Sequence, residues 1–252
     1  MRNQALIVFD SLRWDTFRDA NLPTIKSFPF EKAFTHGTYT LPAHTSFFIG
    51  KLPHTRSGSF DTCARSGRKT DGRQWWRLNN PESPGDAHVQ LDGRNIVHGF
   101  NMKGYDTVGT GAVGWFNINK PAHISAIDDF KKFGFFGEFT VAKKQIDYVL
   151  EELPTDKKFF LFMNFGETHH SYRIRENDEP INWGDKRCRS AQIRCIEYLD
   201  KMIERLLQSP KMKNTDIILC SDHGDCMGED GLWGHSFFHE KVIEVPIVEA
   251  HI

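Results

Sequence analysis

Apolar residues fall along this chain in two kinds of run. Short continuous runs at Leu6–Phe9, Thr107–Thr110, Phe159–Asn164, Ile217–Cys220 and Pro246–Val248 have the length of buried strands. Between them, apolar positions recur at helical spacing. Val141, Ile146, Val149, Leu150 and Leu153 form one stripe, and Ile193, Ile196, Leu199, Ile203 and Leu206 form a longer one. Both stripes read as core faces that carry no chemistry. Strands alternating with helices predict an α/β fold, a mostly parallel sheet with helices on both faces. In such sheets ligands gather at the carboxyl ends of the strands. The stretch Thr62–Gly93 breaks the pattern. It has few aliphatics, several turn formers, and Arg65, Arg68, Lys69, Arg73 and Arg77 around Trp75-Trp76. A connection of that length without periodicity exceeds most structural loops. It reads either as a solvated insertion or as a lid whose arginines meet an anionic substrate.

Size and charge narrow the classes. The 252 residues suffice for one domain, 1–252, with 62–93 as the lid-like insertion. With 32 basic and 33 acidic side chains the net charge is −1, which argues against a nucleic-acid partner. No apolar run approaches the roughly 20 residues needed to span a bilayer, so no membrane partner is expected. The run Ala5–Phe9 is too short for a signal-peptide core and reads as the first strand, which makes a cytoplasmic protein the expectation. Cysteines 63, 188, 195, 220 and 226 include no C-x-x-C pair and read as reduced packing thiols. Cys188 and Cys195 are placed on one helical face.

The chemistry concentrates where strands stop. Ile217-Ile218-Leu219-Cys220-Ser221-Asp222-His223-Gly224 is an apolar run that ends on an acid, an imidazole and a glycine. Asp10 ends the first strand in the same way. Alone it would serve equally as a turn cap; together with Asp222-His223 it suggests a shared metal. Carboxylates with imidazole suit zinc or manganese, and the hard oxygens also admit magnesium or calcium. Between these tips, Thr40-Leu41-Pro42-Ala43-His44 opens a helix that Gly50 stops, with Thr40 expected just ahead of it as a cap. A helix start is also an anion site, and a threonine hydroxyl touching a metal there would be a nucleophile.

In order and spacing these segments resemble the alkaline phosphatase/sulfatase superfamily. Sulfatases carry C/S-x-P-S-R, then a helix and T-G-x-x-P, where this chain has Thr40–His44 and then Ile49-Gly50-Lys51-Leu52-Pro53. Their G-Y-x-T is matched by Gly104-Tyr105-Asp106-Thr107. Their S-D-H-G, G-H and V-P motifs are matched by Ser221–Gly224, Gly234-His235 and Val245-Pro246. Gly111–Asn117 looks closest to a compact bacterial branch. The resemblance implies an alkaline phosphatase-like fold and a divalent metal, one ion or two.

Two departures shape the expected activity. Sulfatases oxidise the cysteine or serine to formylglycine, whereas Thr40 would give only a ketone. Threonine is what the resembling phosphodiesterase, phosphopentomutase and lipoteichoic-acid synthase branches use. His44 stands where sulfatases have arginine, and the G-K-W-H motif is absent, so Arg65, Arg68 and Arg73 become candidates to bind the substrate anion. In Phe165-Gly166-Glu167-Thr168-His169-His170-Ser171-Tyr172, His169 fits the single sulfate-contacting histidine of sulfatases. Glu167, His169 or His170, and His235 would be the partners of a second ion. His239 is either a packed side chain or a general acid beside His235.

The expectation is therefore a metal-dependent hydrolase of a small-molecule phosphate ester, phosphatase or phosphodiesterase. Asp10, Asp222, His223 and Thr40 would hold the ion, Thr40 would form a phosphothreonine intermediate, and His235 or His169 would protonate the departing oxygen. The alternatives are a sulfuric ester hydrolase, a phospho-group transferase, and a catalytically inactive metal- or anion-binding module.

Overall fold

All five apolar runs become strands of one sheet. The computed structural model describes residues 2–50, 63–68, 74–79, 88–120 and 123–252, with backbone alone at 63–68, 74–79 and 88–93. The strands are β1 (Asn3–Phe9), β2 (Phe30–Phe34), β3 (Cys63–Arg68), β4 (Gln74–Asn79), β5 (His88–Gly93), β6 (Asp106–Gly111), β7 (Lys132–Phe135), β8 (Phe159–Phe165), β9 (Thr215–Ser221), β10 (Cys226–Met227), β11 (Trp233–Gly234) and β12 (Glu244–His251). The helices are α1 (Trp14–Asp19), α2 (Thr40–Ile49), α3 (Ile96–Met102), α4 (Ala142–Glu152), α5 (Cys188–Leu207) and α6 (Glu240–Ile243). Seven strands make the main sheet in the order β2-β12-β9-β1-β8-β6-β7. The five from β9 to β7 are parallel, and β12 runs against them.

The period-two alternation of the strands builds both cores. Ile7 and Phe9 of β1, Leu161 and Met163 of β8, and Leu219 of β9 face one side with Ile146 and Val149 of α4 and Ile196, Leu199, Ile203 and Leu206 of α5. Val8, Phe160, Phe162 and Cys220 face the other, with Leu41 and Phe48 of α2 and Val97 of α3. Both predicted stripes are thus buried, which is why these strands are apolar throughout. Cys188 and Cys195 are buried together beside Tyr172 and Ile181, and the four cysteines whose side chains are described are free thiols.

Strands β3, β4 and β5 pair as an antiparallel meander. The stretch read as a solvated insertion or a lid thus contains three strands, although its sequence shows no hydrophobic periodicity. Antiparallel pairing satisfies the backbone by itself, so such a segment needs no hydrophobic periodicity to form a ladder.

Register decides where chemistry can occur. Phe9 pairs with Phe165 on β8 and with Ser221 on β9, so three adjacent parallel strands end at one level. Asp10, Gly166 and Asp222 are the next residues out.

Candidate active site

Buried polar clips hold the three strand tips together. The Ser221 hydroxyl donates to the carbonyl of Phe9 or of His223, each 2.7 Å away, and accepts from Leu12 N at 2.9 Å. The Thr168 hydroxyl donates to Asp10 O at 2.7 Å, and the Gln192 amide donates to Ser11 O and Thr168 O, both at 2.9 Å. Ser11 adopts the left-handed conformation (φ 61°) and aims its N–H at Asp222 Oδ1, 3.1 Å away. Gly224 lets the loop after β9 lie against the chain before β12; its N–H donates to Val242 O at 2.7 Å, and a Cβ there would run into Lys241 O.

Asp10, Asp222 and His223 are completely buried. One ligand atom from each lies within 4.8 Å of the others. Asp10 Oδ2 accepts from Asn164 Nδ2 at 3.2 Å and from the Thr40 hydroxyl at 3.4 Å. Asp222 Oδ1 takes two backbone N–H groups, whereas Asp222 Oδ2 and His223 Nε2 are buried without a hydrogen-bond partner. Burial, then the neighbouring Asp10 carboxylate, drives the Asp222 pKa well above the usual range. Burial also drives the His223 pKa down to about 3, with His235 adding to the effect, so the imidazole is neutral. For Asp10 burial pushes upward, but the histidines around it and Asn164 bring it below the ordinary value. Two facing carboxylates, a neutral imidazole and two orphaned acceptor atoms form a donor set that a divalent cation satisfies.

Thr40 is the first residue of α2, not a cap ahead of it. Tyr39 holds the N-cap position without a side-chain cap, and Gly50 closes the helix in the left-handed conformation (φ 65°). Proline two residues after Thr40 suits a first turn whose amides are unbonded anyway, and the Thr40 hydroxyl is directed to Asp10. His44 lies one turn further on, fully buried. Its ring packs edge-on against Phe47, Phe116 and Phe162, and Nδ1 is 3.0 Å from Thr40 O and 3.4 Å from Asp222 Oδ2. Burial lowers its pKa to about 4, so the ring that stands where sulfatases carry an arginine is neutral.

A cleft of 590 Å³ opens above these residues, bordered by Thr40, His169 and His235 together with Tyr39, Trp115, Phe139 and Lys120. His169 stacks on Phe139, and its ring centroid is 5.5 Å from that of His235. His170 stacks on Trp183 at 4.2 Å and places Nδ1 3.0 Å from His169 Nδ1. Burial and then the His169 ring lower the His170 pKa to about 4.

Other expected site residues lie elsewhere. Glu167 is fully buried; Oε1 of its carboxylate accepts from Ala142 N at the start of α4 (2.7 Å), and Oε2 has no hydrogen-bond partner. Burial raises its pKa to about 7. His239 is the N-cap of α6: Nδ1 accepts from Lys241 N at 3.0 Å and Nε2 lies 3.3 Å from Asp230. Arg65 and Arg68 fall on β3, where only the backbone is described, and Arg73 lies outside the described residues.

Sequence reasoning missed Asn164, Asp225, Tyr172 and Trp183. Asp225 is fully buried, 2.6 Å from His235 Nδ1, and accepts from the Tyr172 hydroxyl at 3.3 Å. Against the upward push of burial, the His235 contact and nearby imidazoles hold its pKa at about 2. A second acid two residues after His223 was a visible signal for it; the others left none.

The family model for sulfatases matches residues 2–248. The chain belongs to the sulfatase family. Among curated relatives it is 36% identical over 90 residues to a choline-sulfatase of Rhizobium meliloti (strain 1021), a stretch covering 32% of this chain and 18% of that enzyme. It is 33% identical over 75 residues to a sulfatase of Formosa agariphila, covering 28% of this chain and 15% of that protein. Solved structures share the whole fold at low identity. The C-terminal periplasmic domain of phosphoethanolamine transferase EptC from Campylobacter jejuni superposes with a TM-score of 0.64 at 13% identity, covering 99% of this chain and 78% of that one. Phosphonate monoester hydrolase of Agrobacterium radiobacter gives 0.63 at 13%, covering 99% and 68%. This sulfatase family member thus has the alkaline phosphatase-like fold that its strand-tip motifs imply. Within the described residues, no helix is long and apolar enough to cross a membrane.

Proposed function

We propose that this protein hydrolyses a phosphate ester by way of a covalent phosphothreonine at Thr40. The observation that carries the reading is the Thr40 hydroxyl, 3.4 Å from the Asp10 carboxylate at the floor of the cleft, in the place where sulfatases keep a cysteine or serine. A threonine cannot be oxidised to an aldehyde, so it serves as an oxygen nucleophile. Asp10, Asp222, His223 and Thr40 would hold one divalent ion, which when bound lowers the pKa of the hydroxyl and draws charge from the phosphoryl oxygens.

The chain's own groups account for the remaining requirements. The α2 N-terminus aims its positive dipole end at the phosphoryl group. Asn164 donates to Asp10 and fixes its orientation. His169 and His235 flank the cleft, and the one nearer the departing oxygen donates a proton to it. Water then bonds to phosphorus and gives a proton to that histidine, while the bond from phosphorus to Thr40 breaks and leaves its electron pair on the Thr40 oxygen. The aromatic border of Tyr39, Trp115 and Phe139 suits an apolar portion of the alcohol.

Activity on aryl phosphate monoesters, diesters and sulfates, measured with zinc, manganese or magnesium, tests this reading. Turnover of a phosphate ester with burst formation of a phosphothreonine, abolished by Thr40→Ala, is the expected result. Full activity of Thr40→Ala would falsify the covalent route. Sulfate turnover alone would make the chain a sulfuric ester hydrolase that dispenses with formylglycine.

A further inference from the structure

We infer that Lys120 is the binding point for a second anionic group, so that the phosphate ester taken by this cleft carries a carboxylate or a further phosphate on its alcohol. The inference rests on the phosphate-ester reading above and adds to it the charge of the alcohol.

The cleft is divided by chemistry from floor to rim. Thr40 lies at the floor, 4% exposed, Trp115 and Phe139 form apolar walls, and the Lys120 side chain stands on the rim, 54% exposed. Among the described residues that border the cleft, Lys120 is the only lysine or arginine, and none is an acid. The ammonium is also placed there by close approach. A Cβ on Gly114 would lie 2.8 Å from Lys120 Nζ and 3.1 Å from Glu138 Oε1, so the pair rests directly on the bare backbone of the cleft wall. The chain beneath it is held: Lys120 N donates to Asn117 O at 2.9 Å, and His123 links Lys120 O (Nδ1, 2.8 Å) to Asp128 (Nε2, 2.9 Å). Glu138 accepts from Nζ at 3.1 Å, and its own side chain is 37% exposed.

A water-exposed ion pair contributes little, because solvent screening and the ordering of two long side chains offset most of the attraction. Lys120 can therefore exchange Glu138 for a substrate anion at small cost. A neutral alcohol gains nothing from an ammonium at the end of an apolar wall. An anionic one gains an opposite charge, and the exposed rim spares it full desolvation. The phosphoryl group is taken at the floor, by Thr40 and the α2 N-terminus, which leaves Lys120 to the far end of the ester. Glu138 competes for the same ammonium, so an anion displaces it readily only when the phosphoryl end is already anchored. That competition favours ligands charged at both ends over free monoanions.

The experiment measures binding, with probes that lack an ester bond. ω-Phosphonocarboxylates and α,ω-bisphosphonates of graded chain length are compared with the neutral ω-phosphonoamides by calorimetry. The proteins are wild type, Lys120→Met, Glu138→Gln and the double variant, all metal-loaded; both positions are exposed, so neither substitution touches the core. At the best chain length, wild type is expected to bind an anionic probe about fivefold more tightly than its amide, and the tighter series names the anion. That ratio should fall below about twofold in Lys120→Met and rise in Glu138→Gln, where the competitor is gone. The double variant should behave as Lys120→Met, because Glu138 acts only through the ammonium. Equal binding of charged and neutral probes by wild type, an unchanged ratio in Lys120→Met, or a lowered ratio in Glu138→Gln would overturn the inference and leave the pair a surface salt bridge. Failure of both anionic series to bind would overturn it as well. A wild type that keeps the charge preference but hydrolyses no phosphate ester overturns only the reaction. Hydrolysis without the preference overturns only the role of Lys120.

Discussion

Two regions among the three neighbouring strand tips meet the same problem and solve it differently. At the ends of β1 and β9, the buried carboxylates of Asp10 and Asp222 lie close together, and Asp222 Oδ2 has no hydrogen-bond partner. At the end of β8, Glu167 is equally buried but bonds to the first N–H of α4. The first pair places two carboxylates together in a buried site, a cost that a divalent ion would offset. The second carboxyl is absorbed into the scaffold, with a pKa near 7 that lets it carry a proton. A buried acid at a strand tip is therefore no evidence of a site by itself. What distinguishes the Asp10–Asp222 pair is the second carboxylate facing each acid; Glu167 also leaves one buried oxygen, Oε2, without a hydrogen-bond partner, but its other oxygen meets a helix start.

The sharpest way to break this contrast is Asp222→Asn. It should remove bound metal and lower turnover on the order of 10³-fold or more, measured by elemental analysis and steady-state kinetics. The metal-free variant should nevertheless melt higher than metal-free wild type, by on the order of 1–3 kcal/mol, because the repulsion with Asp10 is gone. A lower melting temperature would mean that the carboxylate pair is not strained without the ion.

Metal removal should act next most strongly, and only on wild type. A zinc or manganese concentration 1,000 times Kd should stabilise it by about 4 kcal/mol, while Asp222→Asn shows no shift in calorimetry. Thermal shifts of equal size in both proteins would place the ion elsewhere.

Glu167→Gln should leave turnover within a few-fold and alter the pH dependence of stability. The folded protein holds the Glu167 proton up to about pH 7, whereas the unfolded chain releases it near the ordinary value of 4.5. The folded state thus binds more protons across that window, and wild-type stability falls as pH rises through it, by on the order of 3 kcal/mol. Glutamine should flatten that fall in denaturant titrations, with the Ala142 N–H bond kept. A wild-type curve already flat between those values would refute the assignment.

His239→Ala is expected to have the smallest effect: about 0.5–1 kcal/mol of stability from the lost N-cap, with unchanged kinetics on every ester. A kinetic defect confined to poor leaving groups would restore the acid role that the sequence allowed it.

The fold was legible because period is local. Leu6–Phe9 and Ile217–Cys220 announce buried parallel strands, and the Ile193–Leu206 stripe announces a helix whatever its neighbours are. The meander at β3–β5 was not legible, since backbone pairing alone generates it. At the site, Asp10 and Asp222-His223 could be read as strand ends, and Thr40 as a helix start. Glu167, His239 and Asp225 could not be sorted that way. All three are polar residues in loops, and their roles turn on which partner sits within 3 Å.

The sequence by itself determined the α/β class, the strand tips and the choice of threonine over cysteine or serine, because side-chain identity and hydrophobic period need no tertiary contact to be read. Only the tertiary structure decided that three of those tips share one level, that Glu167 turns back to α4 while His169 faces the cleft, and that Asp225 stands behind His235. Register and burial set those outcomes, and both are properties of strands placed side by side, which no single segment contains.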